Sequence, residues 1–370
     1  MSTLNVNEQF SIALDIEGTP VPLAYGGVKE VSIVQNVKAM IPQFKIIVND
    51  YFNVIHDAAP HDGTKINFIF DDGESLSEVL RFALFGAPTC TDIGSALQFT
   101  MTGMLDAATY MHQHVKKSYE GNSNEVLAQV AGEVGLKPMF MATCNDKQVW
   151  LPSPVSYAKF MQRIVDHGYV NGNSIMASAV TESHGLIYKN IDEEIKKSGL
   201  VTFYNGLKPT SGNPVRLVRF PVVSSQGGVL NRMFGYGTKV QQEQLDGSAK
   251  TLDSFMAPLM NGALSMSSEI MKQVDTVYRA YVPPNIGNTH EKFMEARYQN
   301  LRGSATFTGK MEVLTDQLTG LNMYDPVETF ITLPTTLEVS SLYSQKFLVT
   351  AKTRYMRGNQ YFEKLELTCQ

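Results

Sequence analysis

The chain has 370 residues, of which 43% are hydrophobic and 18% are charged, and its formal net charge is −5 at pH 7. This length exceeds the usual size of one hydrophobic core, so we expect two to four compact units. The sequence contains no run of lysine or arginine, which argues against a dedicated nucleic-acid-binding protein. The modest charge content favours a surface that is partly covered by protein partners.

The three cysteines, Cys90, Cys144 and Cys369, are odd in number and far apart. Such a set indicates neither a disulfide framework nor a zinc site, so we expect free thiols made in a reducing compartment. The opening "MSTLNVNEQFSIALDIEG" lacks the features of a secretory signal, and no apolar stretch reaches the roughly 18 residues of a membrane-spanning helix. The sequence therefore predicts synthesis in the cytoplasm and no stable membrane insertion.

The first third of the chain has the period-2 pattern of short antiparallel strands. Apolar residues alternate with polar ones at residues 12–16, 44–48 and 66–70, and more weakly at 99–103. A turn is predicted at "DDGE", and a short helix is predicted at residues 75–85. Residues 1–118 are therefore predicted to form a small sheet or barrel.

Two amphipathic helices follow. Asn122 is the predicted N-cap of the first, with Glu125 three residues later and Gly135 beyond the end. The second follows Trp150, the only tryptophan, and is predicted to use Ser153 as its cap, with the next residue, a proline, at the first helical position. Its apolar residues recur at helical spacing, which predicts a face packed in the core. Two short apolar runs around Gly185 then predict a hairpin.

The end of the chain has clear strand patterns. Alternation at residues 305–313 predicts a half-buried strand with one solvated face. The last two strands are predicted to form a hairpin with an odd-length loop around "RGN". The predicted register aligns three pairs: Val349 with Leu367, Ala351 with Leu365, and Tyr355 with Tyr361.

Residues 226–299 interrupt this β-rich chain without a repeat period. The segment is rich in methionine at "SFMAPLMNGALSMSSEIMK", and Thr289 is a candidate helix cap. A long segment of this kind is typical of an insertion that contacts a partner.

Taken in order, three stretches resemble a known family: "NSNEVLAQVAGEVGLKP", "DKQVWLPSPVSYAKFMQRIVDHGYVNGNSIMAS" and the closing "SQKFLVTAKTRYMRGNQYFEKLELTC". They are similar to the baseplate hub of contractile phage tails and to the corresponding region of type VI secretion spikes. The residues that carry the motif are Trp150, Phe160, Arg163, Ile164, Gly168 and Tyr169. The sequence departs from the pattern at Tyr324, where relatives often carry glycine before the aspartate.

The resemblance implies a mainly β fold with an α+β insertion, and two small antiparallel β-barrels per chain. Three chains would close a pseudo-sixfold ring. The implied units are a tube-facing first barrel at residues 1–118, an α/β domain at 119–200, and a second barrel made of 201–225 and 300–370. Residues 226–299 would be a partner-contacting insertion in the second barrel.

The implied function is structural. A homotrimeric hub would adapt the sixfold tail tube to a threefold spike and line part of the DNA or effector channel in the virion baseplate, after assembly in the host cytoplasm. The implied partners are the tail tube protein and a separate spike protein, since no spike or lysozyme domain follows residue 370; the tape measure protein and the baseplate wedge are further candidates. We expect no enzyme activity, cofactor, metal or sequence-specific nucleic acid.

Two other functions stay open at this stage. A glycan-binding adhesion module would need an exposed aromatic platform such as Trp150, although a core position is favoured for that residue. A cell-wall hydrolase would need paired carboxylates such as Glu182 and Asp192.

Four further motifs favour ordinary structure over chemistry. His112 and His114 would share one face of a strand, but no third metal ligand is evident. "FDDGES" lacks the spaced carboxylates of a calcium loop, and "GYGTK" is too short for a phosphate loop. Ser183 and His184 are adjacent, so on a strand they would point to opposite faces.

Overall fold

The structure is a computed structural model. It describes residues 11–21, 27–37, 41–71, 77–152, 154–225, 239–243, 249–252, 277–281, 296, 299, 309–336, 338–340, 343–357 and 360–369.

The first part of the chain is an antiparallel sheet with two short helices. Its strands pair in the order β3-β4-β8-β6-β5-β1-β2, and β7 pairs with β8. Its buried face holds Phe44, Phe68 and Phe82, whose ring centroids lie 5.0 to 5.6 Å apart in edge-to-face contacts. The elements are β1 (Ser11–Ile16), β2 (Thr19–Val21), β3 (Val28–Asn36), β4 (Gln43–Asp50), α1 (Val54–Ala58), β5 (Lys65–Asp71), β6 (Ser77–Leu84), β7 (Thr89–Asp92), β8 (Leu97–Leu105) and α2 (Ala108–His112).

The helix predicted at residues 75–85 is wrong, because Ser77–Leu84 form strand β6. Leu80, Phe82 and Leu84 are buried, whereas Arg81 between them is exposed. Burial at every second residue is typical of a strand. β6 pairs with both β5 and β8, and these pairings outweigh the local preference for a helix.

The middle of the chain is an α/β unit. A sheet in the order β10-β13-β12 and the pair β11-β9 surround two 11-residue helices. Asn122 and Glu125 form a capping box at the start of α3, as predicted. The elements are β9 (Tyr119–Gly121), α3 (Ser123–Glu133), β10 (Lys137–Met141), β11 (Gln148–Trp150), α4 (Tyr157–His167), β12 (Met176–Val180), β13 (Gly185–Asn190) and α5 (Ile191–Glu194).

Helix α4 starts later than predicted. Ser156 is its N-cap and accepts a hydrogen bond from the Lys159 amide at 3.5 Å, so Pro154 lies outside the helix; Ser153 lies outside the described residues. The Tyr157 amide donates to the Gln113 carbonyl at 3.1 Å. This tertiary contact fixes the helix start and overrides the local signal of the earlier serine-proline pair.

The last part of the chain adds ten strands. Strands β17 to β19 form a separate small sheet in the order β18-β17-β19. They fall within the predicted insertion, whereas Thr289 lies outside the described residues. The strands are β14 (Thr202–Asn205), β15 (Pro214–Arg216), β16 (Val222–Ser225), β17 (Lys239–Glu243), β18 (Ala249–Leu252), β19 (Val277–Tyr281), β20 (Gly309–Thr315), β21 (Pro326–Ile331), β22 (Lys346–Arg357) and β23 (Gln360–Cys369).

The closing hairpin β22-β23 has the predicted register at one end only. Val349 pairs with Leu367, but a β-bulge follows and Ala351 pairs with Glu366 instead of Leu365. Thr350 is the extra residue of the bulge, and its hydroxyl donates to the Glu366 carbonyl at 3.2 Å.

The bulge also changes the other end of the hairpin. Tyr355 pairs with Phe362, and Arg357 pairs with Gln360, which leaves two residues between the strands. The predicted odd-length loop is therefore wrong, because the bulge takes up the extra residue.

Strand β22 joins the two halves of the molecule. One edge of β22 pairs with β23; on the other edge, residues 346–348 pair with β21 and residues 351–357 pair with β3. The result is one continuous 15-stranded sheet over two hydrophobic cores. The two predicted barrels are not closed by strand pairing within the described residues.

The strands in the last part of the chain nevertheless begin and end with the same chain segment. The order there is β15-β14-β21-β22-β23-β20-β16, and residues 214–225 contain both terminal strands. The Leu217 amide donates to the Tyr204 carbonyl at 2.9 Å, and the Val218 amide donates to the Leu314 carbonyl at 2.8 Å. The segment therefore passes from β14 to β20.

All three cysteines are free thiols, as predicted. Among the described helices, none has both the length and the apolar composition needed to cross a membrane.

We expect Leu365→Asp to abolish soluble folding. Leu365 is fully buried, and an unpaired buried carboxylate costs several kcal/mol. Soluble yield and thermal melting measured by circular dichroism test this, with Glu366→Asp as the control on the opposite face of β23. Normal yield and melting of Leu365→Asp would contradict the placement of Leu365 in the core.

Candidate functional site

The family-motif side chains lie mainly inside the α/β unit. Trp150 is 5% exposed, and its indole N–H donates to the Gly121 carbonyl at 3.0 Å. Phe160 and Ile164 are buried on α4, and the Phe160 ring lies 5.6 Å from the Tyr119 ring. Arg163, on the opposite side of the helix, is exposed. Trp150 thus offers no exposed platform for a sugar.

Gly168 and Tyr169 are held by a buried polar group. The Tyr169 amide donates to one oxygen of Asp146 at 2.8 Å, and the Ser123 amide at the start of α3 donates to the other at 2.8 Å. A β-carbon on Gly168 would lie 1.9 Å from the Tyr188 hydroxyl, which bonds to the Ser123 hydroxyl. A side chain at position 168 is therefore excluded by contact.

A buried ion pair connects the α/β unit to strand β22. Glu182, in the turn between β12 and β13, lies 3.1 Å from the Lys352 ammonium and 2.8 Å from the Arg354 guanidinium. Burial alone would raise the pKa of Glu182, but the charges of Lys352 and Arg354 outweigh it and hold that pKa below its ordinary value. The carboxylate thus stays ionised between two cations. Gln35 of β3 joins this group by donating to the Val180 carbonyl at 3.3 Å.

A second buried ion pair lies across the neighbouring loop. The Lys189 ammonium of β13 lies 2.7 Å from Asp325 and 3.7 Å from Glu194. Tyr324, where we expected a departure from the family pattern, has a left-handed φ of 61°. Its amide donates to the Val349 carbonyl at 2.7 Å, so tertiary contacts hold a conformation that glycine adopts more easily.

These contacts join three parts of the chain. Gln35 belongs to the first sheet, Glu182 and Lys189 belong to the α/β unit, and Lys352 and Asp325 belong to the last part. The loop 316–325 lies between the two ion pairs, and Lys352 also donates to the Leu321 carbonyl at 3.1 Å. We call this set of contacts the polar junction.

The end of the predicted insertion is also fixed to the α/β unit. Gln299 is fully buried, and its side-chain amide donates to the carbonyls of Val165 and Asp166 at the end of α4. Its carbonyl oxygen accepts a hydrogen bond from the Met176 amide at 2.6 Å.

The two residue pairs considered as catalytic groups, Ser183 with His184 and Glu182 with Asp192, have separate hydrogen-bond or ion-pair partners. Ser183 bonds to the Thr181 hydroxyl, whereas His184 bonds to the Asp106 carbonyl. Glu182 contacts two cations, whereas Asp192 pairs with Lys196 at 2.6 Å.

The candidate metal sites do not gain support either. His112 ends α2 and His114 forms an isolated bridge with Ser156, so the two histidines do not share a strand. Asp71 ends β5, and Asp72 lies outside the described residues, as do residues 235–238 of "GYGTK". No cluster of three or more metal-binding side chains occurs among the residues that the structure describes.

Two strand edges are exposed and poorly protected. Strand β16 pairs only with β20 among the described strands, and Val222 and Val223 on it are 53% and 42% exposed. Strand β7 pairs only with β8 there, and all four of its residues are exposed. Neither strand contains lysine or proline, although both are only four residues long and β7 ends in Asp92, and short length and charge also limit pairing at an edge.

Sequence patterns did not predict the polar junction. The register without a bulge places Lys352 and Arg354 on the solvated face of β22, whereas both are buried. The only signal was the presence of two cations, two residues apart, in a strand that is otherwise largely uncharged.

We expect Gly168→Ala to lower the free energy of unfolding by about 1–3 kcal/mol, because the added methyl group overlaps the buried Tyr188 hydroxyl. Denaturant unfolding followed by tryptophan fluorescence measures this. Gly132→Ala is the control. Gly132 lies in helix α3, and a β-carbon added there would have no atom within 4 Å. Equal stability of the two variants would contradict the contact.

We expect Glu182→Gln to lower the free energy of unfolding by about 3–5 kcal/mol at pH 7, because two buried cations lose their partner. The folded-state pKa of Glu182 lies below its ordinary value of 4.5. The ion pair therefore stabilises the protein fully above that value, and the stabilisation decreases as the pH falls through the folded-state pKa.

Urea unfolding of the wild type and Glu182→Gln at pH 7 and at about pH 3 tests this, with the exposed Glu193→Gln as control. A difference between wild type and Glu182→Gln that grows towards low pH would contradict the assignment.

A scan against protein-family models finds no match, and no curated protein matches the sequence. Solved structures do match. The 43 kDa tail protein of prophage MuSo2 from Shewanella oneidensis has a TM-score of 0.61 at 11% identity, over 97% of this chain and 98% of that one. A tail protein from Neisseria meningitidis MC58 has a TM-score of 0.60 at 7% identity, over 98% and 96% of the two chains.

A chain of the half-lidded Francisella PdpA-VgrG complex has a TM-score of 0.50 at 8% identity, over 98% of this chain and 58% of that one. At such low identities, the likeness concerns the fold. The expected resemblance to the tail hub family is confirmed at that level: this chain has the mainly β fold of phage tail proteins along nearly its whole length.

Proposed function

We propose that this chain is a structural, non-enzymatic hub of a contractile-tail baseplate, located in the virion tail. The observation that carries the proposal is the shared fold over nearly the full length of two proteins that are themselves described as tail proteins. The likeness covers 97% and 98% of this chain, and the proposal rests on this analogy of fold.

The second barrel of the proposed hub consists of residues 201–225 and 300–370. Its closure is supported by the segment 214–225, which bonds to β14 with its first residues and to β20 with its last. The first barrel covers residues 1–118 and shares strand β22 with the second through β3. Two barrels of similar size in each chain would give a trimer pseudo-sixfold symmetry.

The exposed edges suggest how three chains associate. Strand β7 belongs to the first sheet and β16 belongs to the last part of the chain, so the two edges are different surfaces. A contact between two different surfaces is heterologous and generates a ring when the rotation closes. We therefore place the subunit contact of the homotrimer at β7 of one chain and β16 of the next.

The proposed partners follow from this ring. One face would meet the sixfold tail tube protein, and the other would meet a separate threefold spike, with the tape measure protein and wedge as further contacts. The ring would surround part of the channel for DNA or effectors. A net charge of −5 suits a channel that does not hold DNA tightly.

A hydrolase is a weaker alternative. A general acid needs a raised pKa so that it is protonated near neutral pH. The pKa of Glu182 is instead lowered by Lys352 and Arg354, so this carboxylate is unsuited to that role.

We expect the purified chain to have a solution mass of three times 41.0 kDa, because the exposed edges of β7 and β16 can pair with each other in neighbouring chains. Multi-angle light scattering over a concentration series measures this mass. A trimer supports the hub. A chain that is monomeric alone and also with co-expressed tube and spike proteins would contradict it.

Matched variants locate the contact. Val223→Lys places a charge on the β16 edge and should shift the trimer to monomer, with unchanged melting of the monomer. Leu207→Lys is the control, since Leu207 is 56% exposed and lies outside both edges. An unchanged trimer in Val223→Lys, or equal loss of the trimer in both variants, would contradict the β7–β16 contact.

A further inference from the structure

The two exposed edge strands, β7 and β16, differ in charge. Residues 86–98, which contain β7, include one charged side chain, Asp92, and no lysine or arginine. Residues 214–225, which end with β16, include Arg216 and Arg219 and no acidic side chain. A charge at an edge excludes most other strands but favours a strand that carries the opposite charge.

The charges on both edges are available to a partner. Asp92 is exposed and accepts a hydrogen bond from the Gly94 amide at 2.7 Å, and it has no cationic partner among the described residues. Arg219 is 53% exposed and lies 2.5 Å from Glu312, but Glu312 also contacts Lys364 at 2.8 Å. Two cations that share one carboxylate leave an excess of positive charge beside β16.

The placement of these residues along the two strands favours one direction of pairing. Asp92 is the last residue of β7, and Ile93, which follows it, is 42% exposed. Arg219 and the 49% exposed Val218 instead precede β16, which begins at Val222. The opposite charges and the apolar side chains therefore meet at one end of the contact only if the two strands run antiparallel.

The strand order favours the same direction. The path from β7 to β16 passes through β8, β4, β3, β22, β23 and β20, and all of its seven pairings are antiparallel. The two edge strands therefore have opposite directions along this path. A sheet that continues through chains of the same orientation keeps this alternation only when β7 of one chain runs antiparallel to β16 of the next.

We propose that β7 of one chain pairs antiparallel with β16 of the next, with Asp92 opposite Val222 and Cys90 opposite Ser224. Val222 is opposite Glu312 in β20, and Glu312 is the residue that Arg219 contacts. Asp92 therefore comes onto the same face as Arg219. This inference rests on the trimer proposed above and adds the direction and register of its contact.

Cys90 reports the register, because it is an exposed free thiol whereas the other two cysteines are buried. Opposite residues of antiparallel strands have Cα atoms about 4.5–5.5 Å apart, a distance that a disulfide spans. We expect Ser224→Cys to give covalent species of two and three chains after mild oxidation of the trimer, as seen by non-reducing gel electrophoresis. The double variant Cys90→Ser with Ser224→Cys is the control and should remain a single chain on the gel.

Val223→Cys tests the opposite direction. If the two four-residue strands pair in parallel over their full length, Cys90 lies beside Val223 instead of Ser224. Cross-linking of Val223→Cys without cross-linking of Ser224→Cys would overturn the antiparallel register.

Asp92→Asn tests the charge. The variant keeps the acceptor for the Gly94 amide but removes the negative charge, so it should weaken the trimer about two- to fivefold with unchanged melting. Asp62→Asn is the matched control, because the exposed Asp62 accepts a hydrogen bond from the Gly86 amide at 2.7 Å and lies outside both edge strands. Light scattering over a dilution series measures both, and an equal effect of the two variants would contradict the ion pair.

Failure of this contact is distinguishable from failure of the hub. Oxidation is carried out on the assembly that light scattering shows to be trimeric, with co-expressed tube and spike proteins where the trimer requires them. A trimer that does not cross-link at position 224 would overturn the contact and leave the hub proposal intact. A chain that is monomeric under both conditions would overturn both.

Discussion

The architecture depends on strand β22, which is shared by both halves of the sheet. Its two successive sets of partners, β21 and then β3, require twelve residues in one uninterrupted element. Residues 348–357 also pair with β23 along the opposite edge, so most of β22 is paired on both sides. The halves cannot move apart without breaking a row of hydrogen bonds, which makes the chain suited to bear load as one body.

The polar junction adds a directional restraint to this shared strand. Apolar side chains of similar volume could fill the space with equal or better stability, because burying charges is costly. Charged and hydrogen-bonding groups, however, need partners at defined positions. The contacts of Glu182 with Lys352, and of Lys189 with Asp325, therefore favour a single orientation of the α/β unit on the sheet.

The sequence predicted those parts of the fold that local patterns determine. The strands around Phe44 and Phe68, the capping box at Asn122 and the apolar face of α4 all follow from spacing alone. Strand β6 was missed because local residue preferences favoured a helix, whereas its pairing with β5 and β8 decides the structure. The polar junction was missed because one bulge reverses the faces of β22.

The bulge at Thr350 determines which face of β22 each later side chain occupies. Before it, the buried face of β22 carries Val349; beyond it, the same face carries Lys352 and Arg354. Deleting Thr350 would remove the bulge and leave Lys352 and Arg354 on the buried face with the same partners in β23, whereas deleting two residues here would turn both cations to solvent. The length of this segment is therefore tightly constrained, because it can lose the single extra residue and still keep both cations buried, but it cannot lose two.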